Sequence, residues 1–482
     1  MIIIVYASQT SKSIKANIGI ADYSYYFVLE KFKPLLTEFA HVIEIETPEF
    51  EVDKIYEECR SRGEPCFFLS FTPPFKALTT LKCLTVCVFA WEYTSIPTDI
   101  WGHDSRNDWR SVFNAHGCAI THSSFAVKTV KKEMGDQFPV WSLPAPVWDE
   151  YKIFHSSVAS EPSAKRLNLS FYGSFVDLKA CMTSSQQDED ARGAIIEKSS
   201  EYSEQKITLA LSGIIYTAVF NPSDGRKNWI DLVTGFIWAL REYEDVTLVL
   251  KLAYYDFKTI REMIVEEILR STPFKCRIVA LHGYLAADEY AHLICASAYI
   301  VNTSHGEGQC LPLMEFMSAG KPAIAPRHSA MEDYVDDQNA FIIESSEEWI
   351  HWPHDPRSAM RTLRYRINWE SLFRVILASY EVAKNDPGRY SKMSECAMRS
   401  LENYCSMAVL RKRIRTILPT YEVYNPNRCA VAKHISRSES FAKRIGTLIS
   451  GAARVWIPRF FIIYYRLKSK LRFSAFSSKL AK

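Results

Sequence analysis

Short, continuous apolar runs alternate along the chain with longer segments whose apolar residues recur every three or four positions. The runs at 2–6, 42–45, 66–70, 84–90, 118–122 and 140–143 have the length and composition of strands buried on both faces. The three-and-four spacing at 23–39 and 125–134 predicts helices between them. A second block repeats the scheme, with strands at 214–220, 247–251, 277–281, 299–301 and 322–325 and helices at 230–240, 260–269, 288–296 and 311–319. Long helices are predicted at 357–384 and 387–418. This β-α-β-α order predicts two α/β halves, each a parallel sheet covered by helices. Residues 176–206 are polar, carry no sustained apolar period and read as an insertion at the junction. The divisions are a first domain at 1–175, the insertion at 176–206, a second domain at 207–385, terminal helices at 386–432 and a distinct tail at 433–482.

Composition narrows the class. With 482 residues the chain is long enough for two domains with separate cores, and 48% apolar with 23% charged residues is ordinary for a folded protein. A net charge of +3 gives no ground for expecting a nucleic-acid partner. The twelve cysteines form no C-x-x-C pair, which suggests reduced thiols and a cytoplasmic address. Met1 runs straight into Ile-Ile-Ile-Val, a strand and not the basic leader of a signal peptide. The tail differs in kind: twelve Lys/Arg face the single acid Glu439 and interleave with Trp456, Phe460, Phe461, Tyr464, Tyr465 and Phe473. Arg454, Pro458 and Arg459 interrupt it, so the expectation is an anionic membrane surface rather than a membrane span.

Polar residues collect where predicted strands end. After 299–301 the chain reads Asn302-Thr303-Ser304-His305-Gly306-Glu307-Gly308-Gln309-Cys310, and a helix then carries Glu315. Its glycines let the backbone approach a ligand, and its free N–H groups suit an anion. Glu307 and Glu315 are eight positions apart, within about 80° of each other around a helix axis. On spacing alone they are equally a solvated loop acid and a helix acid paired with a lysine. After 214–220 comes Asn221-Pro222-Ser223-Asp224-Gly225-Arg226-Lys227, a phosphate-facing design or a solvated turn. Trp91 and Glu92 follow the strand at 84–90, and Gly283-Tyr284-Leu285 the strand at 277–281. His116 and His122 read as structural.

The stretch from Ser304 through Glu307, Gly308, Leu311, Pro312, Glu315, Gly320 and Pro322 resembles the E-x7-E signature of the retaining family 4, or group 1, glycosyltransferases. Cys310 stands where that family usually has glycine, and Phe316 where it has alanine. The resemblance implies a GT-B fold, two Rossmann-like domains facing each other across a cleft, with the C-terminal helices crossing back. It implies that Glu307 holds the hydroxyls of a donor sugar and Glu315 the ribose. Gly308, Gln309, Cys310 and Leu311 would face the diphosphate, and Gly283 and Leu285 the base. Lys227 and Arg226 resemble the family's two diphosphate-contacting cations, though adjacent here rather than separated, so Lys227 is the assignment preferred over Arg226. Many relatives place a histidine before an acid at the first domain's cleft. Here the pair is Trp91 and Glu92, and Glu92 is the candidate for acceptor or donor contact.

Glycosyl transfer needs a diphosphate clamp, a hold on the sugar and deprotonation of the acceptor. Fixed cations and helix amides at the leaving diphosphate would serve without a metal or other cofactor. The resulting expectation is a cytoplasmic retaining transferase, peripheral at the inner membrane face, moving a hexose from a UDP- or GDP-sugar to a glycan or lipid-linked acceptor. Trp91 keeps a catalytically silent nucleotide-sugar-binding scaffold open as an alternative. A nucleotide-sugar epimerase of the same fold is the third reading.

Overall fold

The computed structural model describes residues 1–20, 22–157, 166–178, 206–254, 256–271 and 273–423. Six strands form the first sheet: β1 (Ile2–Ala7), β2 (His41–Glu44), β3 (Cys66–Phe71), β4 (Leu84–Phe89), β5 (Ala119–Thr121) and β6 (Val140–Ser142), in the order β2-β1-β3-β4-β5-β6. Every pair is parallel. Helices Tyr23–Thr37, Pro48–Ser61, Trp109–His116 and Ser124–Met134 cross between strands. Burial on both faces explains why these strands read as unbroken apolar runs. His116 and His122 are buried structural residues, bonded through a ring nitrogen to the Leu78 and Leu143 carbonyls. Burial pushes the His122 imidazole down to about 4.

A two-stranded antiparallel ribbon, β7 (Arg166–Phe171) with β9 (Ile207–Ser212), leads to the second sheet. That sheet contains β8 (Ser174–Asp177), β10 (Ile214–Phe220), β11 (Val246–Leu252), β12 (Arg277–His282), β13 (Tyr299–Val301), β14 (Ala323–Pro326) and β15 (Ala340–Ile343). Its order is β15-β14-β13-β10-β11-β12-β8, parallel except for β8 against β12. Because β8 belongs to this sheet, a division after residue 175 falls inside one of its strands. Most of the polar insertion, 179–205, lies outside the described residues.

The chain runs from β10 through β11 to β12 on one side, then returns to place β13 on the other side of β10. This reversal makes the β10/β13 edge the switch point, where an open α/β sheet leaves a crevice beyond its strand ends.

One prediction fails here. Instead of a helix from 357, the chain forms an antiparallel hairpin, β16 (Ser345–His351) with β17 (Arg361–Ile367), and the helix is Trp369–Asn385. Pro353 and Pro356 break the backbone pattern between the two strands, and Arg361-Thr362-Leu363-Arg364-Tyr365-Arg366 is too polar to bury a helix face. The helix predicted at 387–418 is two, Pro387–Cys405 and Met407–Val423, interrupted at the extended Ser406. As expected, these helices return to the first domain. Tyr404 donates to the His122 carbonyl at 2.8 Å, Asp149 accepts the Met407 N–H at 2.7 Å, and Arg411 pairs with Glu38. Among the described residues no helix is long and apolar enough to cross a membrane, and ten cysteines carry free thiols. The basic, aromatic tail at 433–482 lies outside the described residues.

Candidate functional site

The loops after β10 and β13 meet at the switch point. After β10, the Asp224 carboxylate accepts the Arg226 N–H and caps a single 3-10 turn, Gly225–Lys227, so that the two cations project from its end. The next helix, Trp229–Leu240, starts from Asn228 in the left-handed region. After β13, Asn302 organises the loop: its Oδ1 accepts the Ser304 N–H, and its Nδ2 donates to Glu307 at 3.1 Å. Glu307 is the hub. Its carboxylate accepts from Lys227 Nζ at 2.7 and 2.9 Å, from Arg226 at 3.1 Å and from Ser304 Oγ at 2.6 Å. Its own N–H donates to Ser329 Oγ at 2.9 Å.

Arg226 is shared further. It donates to the Gly306 carbonyl, pairs with Asp224 at 2.9 Å, and pairs with Glu92 of the first domain at 3.3 Å. Thus the residues after β4, β10 and β13 form one charge network across the two domains. Burial alone would raise the Glu307 pKa, but Lys227 and Arg226 outweigh it and hold the carboxyl well below the usual range. For Glu92 burial prevails over Arg226, and its pKa is raised. The two carboxylates of one network are therefore driven in opposite directions, the arrangement that separates a fixed anion from a proton-holding group.

The other predicted residues surround this hub. A Cβ on Gly308 would lie 2.7 Å from Ala90 Cβ and 2.9 Å from the Trp91 nitrogen, so glycine is what lets the two domains' loops touch. Gln309 accepts the Ala145 N–H through Oε1 at 3.3 Å, while its buried Nε2 has no hydrogen-bond partner among the described residues. Cys310 has φ 63°, a left-handed conformation that suits glycine, and its Sγ lies 3.2 Å from Asn302 Nδ2. Burial pushes its thiol up to about 12. Leu311 is the first residue of the helix Leu311–Ser318. Glu315, buried on that helix, accepts from the Tyr290 hydroxyl at 2.7 Å, and burial raises its pKa against the nearby Lys31.

Gly283, at φ 128°, follows β12, and Leu285 packs into the core beside it. Sequence reasoning missed Lys251, at the end of β11. Its buried Nζ donates to the carbonyls of Gly283 at 2.6 Å and Leu252 at 3.1 Å, which fixes the turn at 283–285. Burial pushes Lys251 down to about 8 from an ordinary 10.5. Between those values the unfolded chain holds a proton that the folded one releases, so folding stability rises with pH across that window. In Lys251→Met, urea denaturation at a series of pH values is expected to show a shallower rise from pH 8 to 10.5.

The hairpin is the larger omission. Its Tyr365 exchanges backbone contacts with the site loop: the N–H donates to the His305 carbonyl at 2.9 Å, and the carbonyl pairs with His305 Nδ1 at 2.9 Å. The Tyr365 ring stacks on His328 at 4.3 Å. Trp91 does not take the place of a cleft-facing histidine. Its indole donates to the Ser95 carbonyl at 3.1 Å, and its ring packs against Tyr93, Trp109 and Trp352 of the hairpin connection.

Residues 260–351 match the family model described as "Glycosyl transferases group 1". No curated protein matches the chain in sequence. A glycosyltransferase from Rickettsia africae shares the fold with a TM-score of 0.51 at 11% identity, over 88% of this chain and 99% of that one. Sucrose-phosphate synthase from Thermosynechococcus elongatus does so with a TM-score of 0.50 at 11% identity, again over 88% and 99%. At such identities the likeness speaks for the architecture alone.

Proposed function

We propose that this chain, a group 1 glycosyltransferase with a GT-B fold, moves a hexosyl group from a nucleoside-diphosphate sugar to a glycan or lipid-linked acceptor with retention of anomeric configuration. The observation that carries this reading is the buried Glu307 carboxylate holding Lys227 and Arg226 at the switch point. A donor entering the crevice brings phosphate oxygens to those cations and sugar hydroxyls to Glu307. As the glycosidic bond breaks, charge develops on the leaving diphosphate, where Lys227, Arg226 and the amides from Gly308 to Leu311 stabilise it. In this reading two fixed cations perform the service that a metal performs elsewhere. Glu315, on the same helix, is the ribose contact, and the turn at 283–285 faces the base. Glu92, carried by the first domain with a raised pKa, is the group that meets the acceptor side.

The test is turnover of a panel of UDP- and GDP-hexoses by the full chain, with the anomer of the product read by NMR. Release of nucleotide from one donor with a retained anomer is the expected result, and Lys227→Ala is expected to lower it by about 100-fold or more. An inverted product would refute retention. The fate of Trp91 supports the second reading, a silent sugar-nucleotide scaffold. With its side chain committed to the aromatic cluster, β4 ends without a histidine at the cleft. Tight donor binding without release of nucleotide would favour it.

A further inference from the structure

Beyond the hub, a second buried polar atom beside the site, besides Gln309 Nε2, stands uncommitted among the described residues. His328 follows β14, the strand next to β13, and is 2% exposed. Its Nδ1 lies 3.2 Å from Ser329 Oγ, and that hydroxyl accepts the Glu307 N–H at 2.9 Å. In the tautomer in which the Ser329 hydroxyl donates to Nδ1, the imidazole proton sits on Nε2. That Nε2 is buried without a hydrogen-bond partner among the described residues. A buried polar atom left unpaired is costly, so its retention beside a binding crevice calls for a partner that arrives with the ligand. The ring cannot turn away easily, because it lies face to face with Tyr365, at 4.3 Å between centroids and 7° between planes. Burial pushes the imidazole down to about 3, so it is a neutral donor throughout the neutral range.

We propose that His328 is a sugar-contacting residue, whose Nε2–H donates to a hydroxyl oxygen of the hexose carried by the nucleotide and so helps select which hexose the site accepts. This rests on the donor-site reading above and deepens it. Glu307 reads a sugar hydroxyl as a donor, and His328 reads another as an acceptor. The two are tied together through Ser329, whose own φ of 50° is a strained position for a residue other than glycine. A hexose whose hydroxyl is missing or epimeric at the His328 contact leaves the Nε2–H unpaired again, and a site built to pair a hydroxyl discriminates strongly against that loss.

The experiment compares, by calorimetry on the full chain, the affinity for the preferred sugar nucleotide with that for the bare nucleoside diphosphate. His328→Asn retains a group at the Nδ1 position and removes the Nε2–H, whereas His328→Gln restores an N–H near Nε2. His328→Asn is expected to weaken sugar-nucleotide binding about tenfold while bare diphosphate binding stays within about twofold, and His328→Gln to recover most of the loss. Tyr365→Leu, which removes the stacking surface and no side-chain contact to Glu307, is expected to move the same ratio in the same direction. Equal losses for both ligands, or a wild-type ratio in His328→Asn, would overturn the proposal. Wild-type protein that binds the diphosphate but no sugar nucleotide more tightly would overturn it alone. Wild-type protein that binds no nucleoside diphosphate would overturn the donor-site reading and this proposal with it.

Discussion

Glu307→Ala is expected to lower folding stability by about 3–5 kcal/mol in urea denaturation near neutral pH. The side chain is 4% exposed, while Lys227 and Arg226 are 17% and 16% exposed, so solvent does little to screen the pairs. Truncation leaves Lys227 buried without its carboxylate and releases one of the anchors on Arg226. Breaking a buried pair from one side costs far more than a surface pair is worth, and a loss below about 1 kcal/mol would contradict the burial described here. The pH dependence has a definite sign. Glu307 has its folded pKa depressed, so its contribution is complete above the ordinary carboxylate pKa of 4.5 and is lost as pH falls toward the depressed value. The variant should therefore lose less stability on acidification than the wild type does. Lys227, and Arg226 still paired with Asp224 and Glu92, should still hold a bare nucleoside diphosphate, which would separate the proposed role of the carboxylate at the sugar from that of the cations at the phosphates.

A loss of similar size, about 3–5 kcal/mol, is expected for Trp352→Ala, for a different reason. Trp352 is 4% exposed and packs against Trp91, Trp101 and Trp109 of the first domain with ring centroids 5.8, 6.2 and 6.4 Å away. Around it the hairpin adds polar contacts: Ser95 Oγ meets Thr362 Oγ1 at 2.9 Å, Thr94 Oγ1 accepts the Leu363 N–H at 3.2 Å, and Arg357 pairs with Asp99 at 3.2 Å. The hairpin thus ties the second domain to the first over the crevice, and removing its central ring leaves a cavity among large aromatic surfaces. Thermal unfolding measures the loss. Limited proteolysis should show faster cleavage between β16 and β17, and an unchanged melting temperature would mean that the ring bears no weight.

These two positions differ in how much the chain disclosed in advance. Glu307, Lys227 and Arg226 were legible because each lies in a polar loop directly after an apolar strand, and loops at strand ends of a parallel sheet are where ligands sit. What the loops did not disclose is that Lys227 and Arg226 converge on the same carboxylate, since adjacency along a chain does not fix where long side chains meet. Glu92 was legible as a cleft acid for the same positional reason, but its pairing with Arg226 joins residues 134 positions apart and has no local signal. The hairpin was hidden because β17 carries three arginines and a tyrosine with no clean alternation, a pattern dominated by solvent and by contacts with the other domain rather than by its own core. His328 was legible only as part of a loop and short helix, 328–334, expected over the site. Its stacking partner comes from that same unforeseen hairpin.

The central claim is that the cations after β10 clamp a nucleoside diphosphate against the loop after β13. Calorimetric titration of UDP and of GDP into the full chain and into Lys227→Ala tests it most directly. The account predicts one diphosphate bound by the wild type, with at least about tenfold weaker binding in Lys227→Ala. Equal binding by the two proteins would contradict it.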